Sequence, residues 1–144
     1  MNVAKYIRIG KIKKIKDVEY LGYVFKNIRR SEEQIYEDIM RISIDSYVKE
    51  FIRNIRIEGG DFIVISSGTS YYIDKIFEKS GINGVEIYWN KGLFKDNGIH
   101  FVLDEKNQFY SEIYGIDKSK VVKKLKEKYD KVFYAGRLNL SISY

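Results

Sequence analysis

At 144 residues, with 44% hydrophobic and 32% charged residues, the chain suits one globular domain and excludes long disordered tracts. The absence of cysteine rules out disulfides, thiolate metal sites and cysteine nucleophiles, and a single histidine, His100, cannot build a histidine cluster. The balance of 26 basic to 20 acidic residues gives +6, but the lysines are spread along the sequence without a nucleic-acid reader motif, so no nucleic-acid partner is expected.

The chain opens with "MNVAKYIRIGKIKKIK", which lacks the continuous apolar core of a signal peptide, and no apolar run approaches the ~20 residues that cross a bilayer. A cytoplasmic protein with no membrane partner is the expectation. From Asp17 to about Ile57 the pattern is helical. "EYLGYVFKNI" places Leu21, Val24, Phe25 and Ile28 on one face, Ser31 precedes "EEQIYEDIMRI" as an N-cap, and "DSYVKEFIRNI" repeats apolar residues at Tyr47, Val48, Phe51, Ile52 and Ile55.

From Gly59 onward strands and helices alternate. "DFIVIS" is a continuous apolar run suited to a strand buried on both faces, "SSGTS" is a turn, and "YYIDKIFEKSG" is a helix with Tyr72, Ile73, Ile76 and Phe77 inward, stopped at Gly81. "GVEIYW" reads as a second strand, and Asp96 to Gly98 form a tight turn between "KGLF" and "IHFVL". Asp117 caps a helix carrying Val121, Val122 and Leu125, and "KVFYAG" reads as the last strand. The fold class is α/β with a helical appendage: residues 1–57 form the N-terminal segment and helical region, and 58–144 the α/β part.

Two segments end strands where an open parallel sheet binds its ligands, "VISSGTS" and "FYAGRLN". At the first, Ser66 supplies a hydroxyl, and Ser67, Gly68 and Thr69 supply backbone donors at a helix start. That arrangement suits a phosphate, and it equally suits a plain strand-to-helix turn with an N-cap. Lys118 stands in the first turn of "DKSKVVKKLKEK", where a cation opposes the helix dipole and a nearby phosphate oxygen would compensate; a solvated surface lysine is the other reading. His100, within a strand, reads as structural, and Trp89 and the tyrosines serve packing as readily as binding.

The succession "GGDFIVISSGTSYYIDKIFEKSGI", "NKGLFKDNGIHFV" and "YGIDKSKVVKKLKEKYDKVFYAG" resembles the haloacid dehalogenase-like (HAD) phosphatases, in the branch similar to phosphoserine phosphatase and the methylthiopentenyl phosphate phosphatases, over about Lys11 to Tyr144. The resemblance implies an incomplete HAD-like, Rossmannoid parallel sheet with flanking helices, and a small helical cap before Ile57. It implies that Ser66 matches the second motif, whose hydroxyl binds the transferred phosphoryl group, with Ser67 and Gly68 beside it. Lys118 then matches the third-motif lysine that neutralises the phosphate.

The family's first motif, Asp-x-Asp, supplies a nucleophile and a general acid-base, and holds magnesium together with an acidic fourth motif. No two aspartates of this chain lie two positions apart. At the fourth motif, Gly136-Arg137-Leu138-Asn139-Leu140-Ser141 has Arg137 and Ser141 in the carboxylate positions. The resemblance therefore implies a hydrolase-like chain with its magnesium site lost, no cofactor and no intact catalytic residue: a degenerate or truncated phosphatase, inactive as it stands.

The alternatives are a non-catalytic binder of a phosphorylated small molecule or other anion, and a protein-interaction module on the same scaffold. The family's first strand has no counterpart, so the sheet needs completing by Lys5 to Ile9, by a partner chain or by self-association. A partial gene product or half of a split enzyme fits the same pattern.

Overall fold

The computed structural model describes residues 16–136; the surrogate strand expected at Lys5 to Ile9 lies outside them. Helix α1, Asp17–Lys26, carries Asp17 and Glu19 in its first turn and Lys26 in its last, the order the helix dipole favours. It has no side-chain cap. Instead the Val18 N–H donates to the Ile113 carbonyl at 2.9 Å and Lys16 pairs with Glu112 at 3.0 Å, which ties the helix start to a distant loop. Helix α2, Glu32–Arg41, starts at Ser31 as expected and completes a capping box: the Gln34 N–H donates to Ser31 Oγ at 3.2 Å, and the Ser31 N–H to Gln34 Oε1 at 3.1 Å.

Helix α3, Val48–Ile57, departs from the expected inward stripe. Ile52 is its buried residue, while Tyr47 and Phe51 are exposed, Phe51 at 58% and resting edge-on against Phe62. Val48 and Ile55 are half-buried on the same side as Ile52, and polar contacts supplement this narrower seam. The Arg56 guanidinium donates to the carbonyls of Asn83 and Gly84, each at 2.9 Å, and so fixes the rotation of the helix.

Strand β1, Ile63–Thr69, leads into helix α4, Ser70–Lys79; strand β2, Glu86–Lys95, follows, and then β3, Gly98–Val102. The sheet has the order β1-β2-β3. It is mixed, and so only in part the parallel sheet expected: β1 pairs parallel with Glu86 to Asn90, and β3 pairs antiparallel with Lys91 to Lys95 through the expected hairpin. "GVEIYW" and "KGLF" thus belong to one long strand whose two halves take different partners. The hairpin turns at Asp96 and Asn97, both with positive φ (51° and 56°), the conformation a two-residue hairpin turn requires. Gly98 follows because the chain passes close to α1, and a Cβ there would overlap the carbonyl of Lys26.

The two-residue strands β4, Tyr110–Ser111, and β5, Gly115–Ile116, form an antiparallel pair that leads into helix α5, Lys118–Lys128. The strand expected at "KVFYA" does not form. Val132 packs inward, but Phe133 is 92% exposed. Among the described residues this segment pairs with no strand, and an extended segment gains little without a ladder.

Two apolar clusters form the core, one around each half of β2. Ile35, Ile39, Tyr71 and Ile99 gather with Phe25, Ile76 and Phe94 at the antiparallel end. Phe109, Ile116, Val121 and Leu125 gather with Ile63, Ile65 and Tyr88 at the parallel end. Asn90 stands between them, the last β2 residue paired with β1.

Candidate functional site

The segment Ser66 to Thr69 is not a free turn. Between Ile65, opposite Tyr88, and Thr69, opposite Asn90, β1 spends two more residues than β2, so Ser66, Ser67 and Gly68 bulge from the strand just before α4 begins. Ser66 Oγ accepts the Gly68 N–H at 3.0 Å. The N-cap is Thr69, fully buried, whose Oγ1 accepts the Tyr71 N–H at 3.3 Å. Ser70 Oγ in turn accepts the Gly92 N–H at 3.1 Å, bolting the helix start to β2. Gly92 is glycine for contact reasons: a Cβ there would overlap Thr69 Oγ1.

The residue that organises this corner is Asn90, which the sequence reading did not single out. Its carboxamide, 3% exposed, donates to the Ser67 carbonyl at 3.0 Å and the Tyr114 carbonyl at 3.3 Å, and accepts the Ile116 N–H at 2.9 Å. One side chain therefore holds the β1 bulge beside the segment that enters α5. Gly115, at φ 72°, lets that segment pass, since a Cβ would overlap the Asn90 carboxamide. An asparagine in the middle of a strand, following the apolar run Ile87 to Trp89 in "EIYWNKGLF", was the available signal, because strands disfavour asparagine unless its amide is needed.

Lys118 is the first residue of α5 and is partly exposed. It follows Ile116 by two positions, so the Asn90 bridge brings its backbone to the neighbourhood of Ser67. The amides next to it are already used: Asp117 Oδ1 accepts the N–H groups of Ser119 and Lys120 at 2.9 and 3.2 Å. Arg137 and Ser141, the expected degenerate metal positions, lie outside the described residues.

One bulge amide is also engaged: Gly68 gives its N–H to Ser66 Oγ, and the Tyr72 hydroxyl lies beside it, within reach of the Thr69 backbone. That hydroxyl presses on Gly68 so closely that a Cβ there would overlap it. Burial pushes the Tyr72 phenol above its ordinary value, and the nearby Thr69 backbone opposes this in part. Of the amides expected to receive a phosphate, that of Gly68 is thus satisfied internally in this conformation. The Ser66 and Ser67 hydroxyls and the Lys118 ammonium keep donor capacity.

Open clefts lie elsewhere among the described residues. One of about 320 Å³ is lined by Asp74, Phe77, Asn83 and Val85 among others, and one of about 460 Å³ by Ser43, Asp45, Lys49 and Lys79 among others; neither is lined by Ser66, Ser67, Gly68 or Lys118. Burial raises the Asp74 carboxyl above its usual range, against a hydrogen bond from Trp89 and the charge of Lys75. His100 lies in β3 opposite Leu93, and its Nε2 is buried without a hydrogen-bond partner among the described residues. Among the same residues no group of three or more histidine, aspartate and glutamate side chains is arranged to hold a metal, and no helix is long and apolar enough to cross a membrane. Comparison with protein-family models, curated proteins and solved structures finds no match for this chain.

Proposed function

We propose that the chain is a HAD-like, phosphatase-derived scaffold that binds a phosphate-type anion at the Ser66–Ser67–Gly68 bulge and Lys118 without hydrolysing it. The observation that carries this reading is the Asn90 bridge. Two segments 47 positions apart in sequence, Ser67 to Tyr114, are held by one buried carboxamide, and they are the segments that bear the serine hydroxyls and the lysine. Lys118 at the start of a helix is unfavourable by up to ~1 kcal/mol, and an anion beside it removes that cost.

Hydrolysis is not proposed, because the sequence contains no pair of aspartates two positions apart to serve as nucleophile and acid-base. The chain is expected to leave p-nitrophenyl phosphate intact in the presence of magnesium. Turnover lost in both Ser66→Ala and Lys118→Ala would instead demand a nucleophile of another kind. Binding itself is read from the melting temperature: inorganic phosphate at millimolar concentration raises it in the native chain and not in Lys118→Glu. If phosphate and simple phosphomonoesters leave both melting curves unmoved, the anion reading fails.

One observation favours a second reading, a scaffold for a partner strand. β1 has a pairing neighbour on one side only among the described residues, and Phe133, in the segment that was expected to extend the sheet, is almost fully solvated. A monomer by light scattering after size exclusion, at concentrations well above micromolar, counts against self-association through that edge.

A further inference from the structure

The Tyr72 hydroxyl occupies the place at the β1 bulge where an incoming anion would meet the backbone. It presses on Gly68, whose missing Cβ is what lets it in. It also lies within reach of the Thr69 backbone. The phenol ring does not stand alone. It stacks on Phe25 of α1 at 5.6 Å between centroids and 17° between planes, and Phe25 in turn lies 5.7 Å from Phe101 of β3. α1 belongs to the helical half of the chain and the bulge to the α/β half, so this one side chain touches both.

We propose that Tyr72 is a built-in competitor at the anion site: its hydroxyl stands in for a phosphate oxygen when the site is empty, and leaves the bulge when an anion enters. This rests on the anion-binding reading above and adds its regulation. Because the ring is stacked on Phe25, displacing the hydroxyl tilts or slides that stack, and occupancy of the bulge is transmitted to α1. A phenol is neutral at pH 7, and burial raises its pKa further, so it keeps its O–H and approaches the serine-rich corner without adding charge. The energetic scale is that of one neutral hydrogen bond, enough to tune affinity rather than to block the site.

The test compares the native chain with Tyr72→Phe, which keeps the stack and removes only the hydroxyl. Inorganic phosphate is titrated into each while the amide resonances of Gly68 and Thr69 are followed by NMR, with Lys118→Glu as the location control. Tyr72→Phe is expected to bind phosphate about three- to tenfold more tightly, the range that one neutral hydrogen bond spans. Saturating phosphate should also shift the ring resonances of Phe25 in the native chain. Equal or weaker phosphate binding by Tyr72→Phe overturns the competitor assignment while leaving the anion site in place. No binding by either protein removes the site and the competitor together. Binding that survives Lys118→Glu unchanged puts the anion elsewhere and overturns both.

Discussion

Asn90 Oδ1 accepts the backbone N–H of Ile116 at 2.9 Å, and through that bond the central strand sets where α5 begins. The other end of the same carboxamide serves the carbonyls of Ser67 and Tyr114. Asn90→Ala takes the Asn90 bond from one buried and two partly buried backbone groups and should lower unfolding free energy by about 2–3 kcal/mol. Asn90→Asp keeps the acceptor for Ile116 but turns a carboxylate oxygen on two carbonyls. It should be more destabilised at pH 7 than at pH 4, where a protonated carboxyl regains a donor. Urea unfolding at the two pH values measures both effects. A loss below ~1 kcal/mol in Asn90→Ala would mean that water replaces the amide and that the bridge does not hold the corner.

Gly68 and Tyr72 should be energetically coupled. Gly68→Ala forces its methyl group into the Tyr72 hydroxyl, so the ring must move off Phe25 or the bulge must shift, at about 1–3 kcal/mol for overpacking. In Tyr72→Phe the obstructing oxygen is gone, and the same alanine should cost less. A double-mutant cycle by denaturant unfolding is expected to return a coupling of about 1 kcal/mol or more. Additive effects would show that the close approach of hydroxyl and Gly68 is not a feature of the folded chain in solution.

The legible parts of the fold were those with local causes. Ser31 reads as an N-cap, "DNG" as a hairpin turn, and Asp117 as a cap, because each depends on residues within four positions. The mixed sheet was not legible, since nothing in "EIYWNKGLFK" says that its first half will pair with β1 and its second with β3. "KVFYA" has strand composition and forms no strand, because composition cannot supply a neighbour. At the candidate site, the segments around Ser66 and Lys118 were found from their residue types. What the sequence hid was how they are used: Thr69 rather than a serine caps α4, Tyr72 fills the bulge, and Asn90 joins the two segments across a distance no spacing rule covers.

Ser31 and Phe51 make opposite predictions from similar-looking positions in the helical half. Ser31 is exposed but carries both bonds of the capping box, so Ser31→Ala should cost about 1 kcal/mol. Phe51 is large and apolar, yet more than half of its surface stays in water and its ring meets Phe62 only edge-on. Phe51→Ser is expected to cost under ~1 kcal/mol, well below the 3 kcal/mol or more of a core phenylalanine. Chemical denaturation of the two variants ranks them. A larger loss for Phe51 would mean that α3 packs its phenylalanine inward, as the sequence pattern suggested.

Tyr71 links α4 to α2 through its hydroxyl, which donates to Glu32 Oε1 at 2.8 Å. Its pKa is pushed up to about 12, first by burial and then by the hydrogen bond to Glu32 and the charge of that carboxylate. A tyrosine whose pKa is raised on folding stabilises the native state fully below its unfolded value near 10, and that contribution is lost as pH rises through the folded value. Stability should therefore hold up to about pH 10 and fall between about 10 and 12. Tyr71→Phe removes this part of the alkaline loss, and Glu32→Gln moves the Tyr71 titration toward 10 by removing the second cause. Absorbance titration of the tyrosinates beside denaturant melts at each pH follows both. Tyr88 is likewise pushed up to about 12, first by its bond to Glu86, so the Tyr71→Phe difference is the reading that isolates one residue. An unchanged alkaline limb in Tyr71→Phe would place the loss at Tyr88 or elsewhere and remove the α2–α4 link as its source.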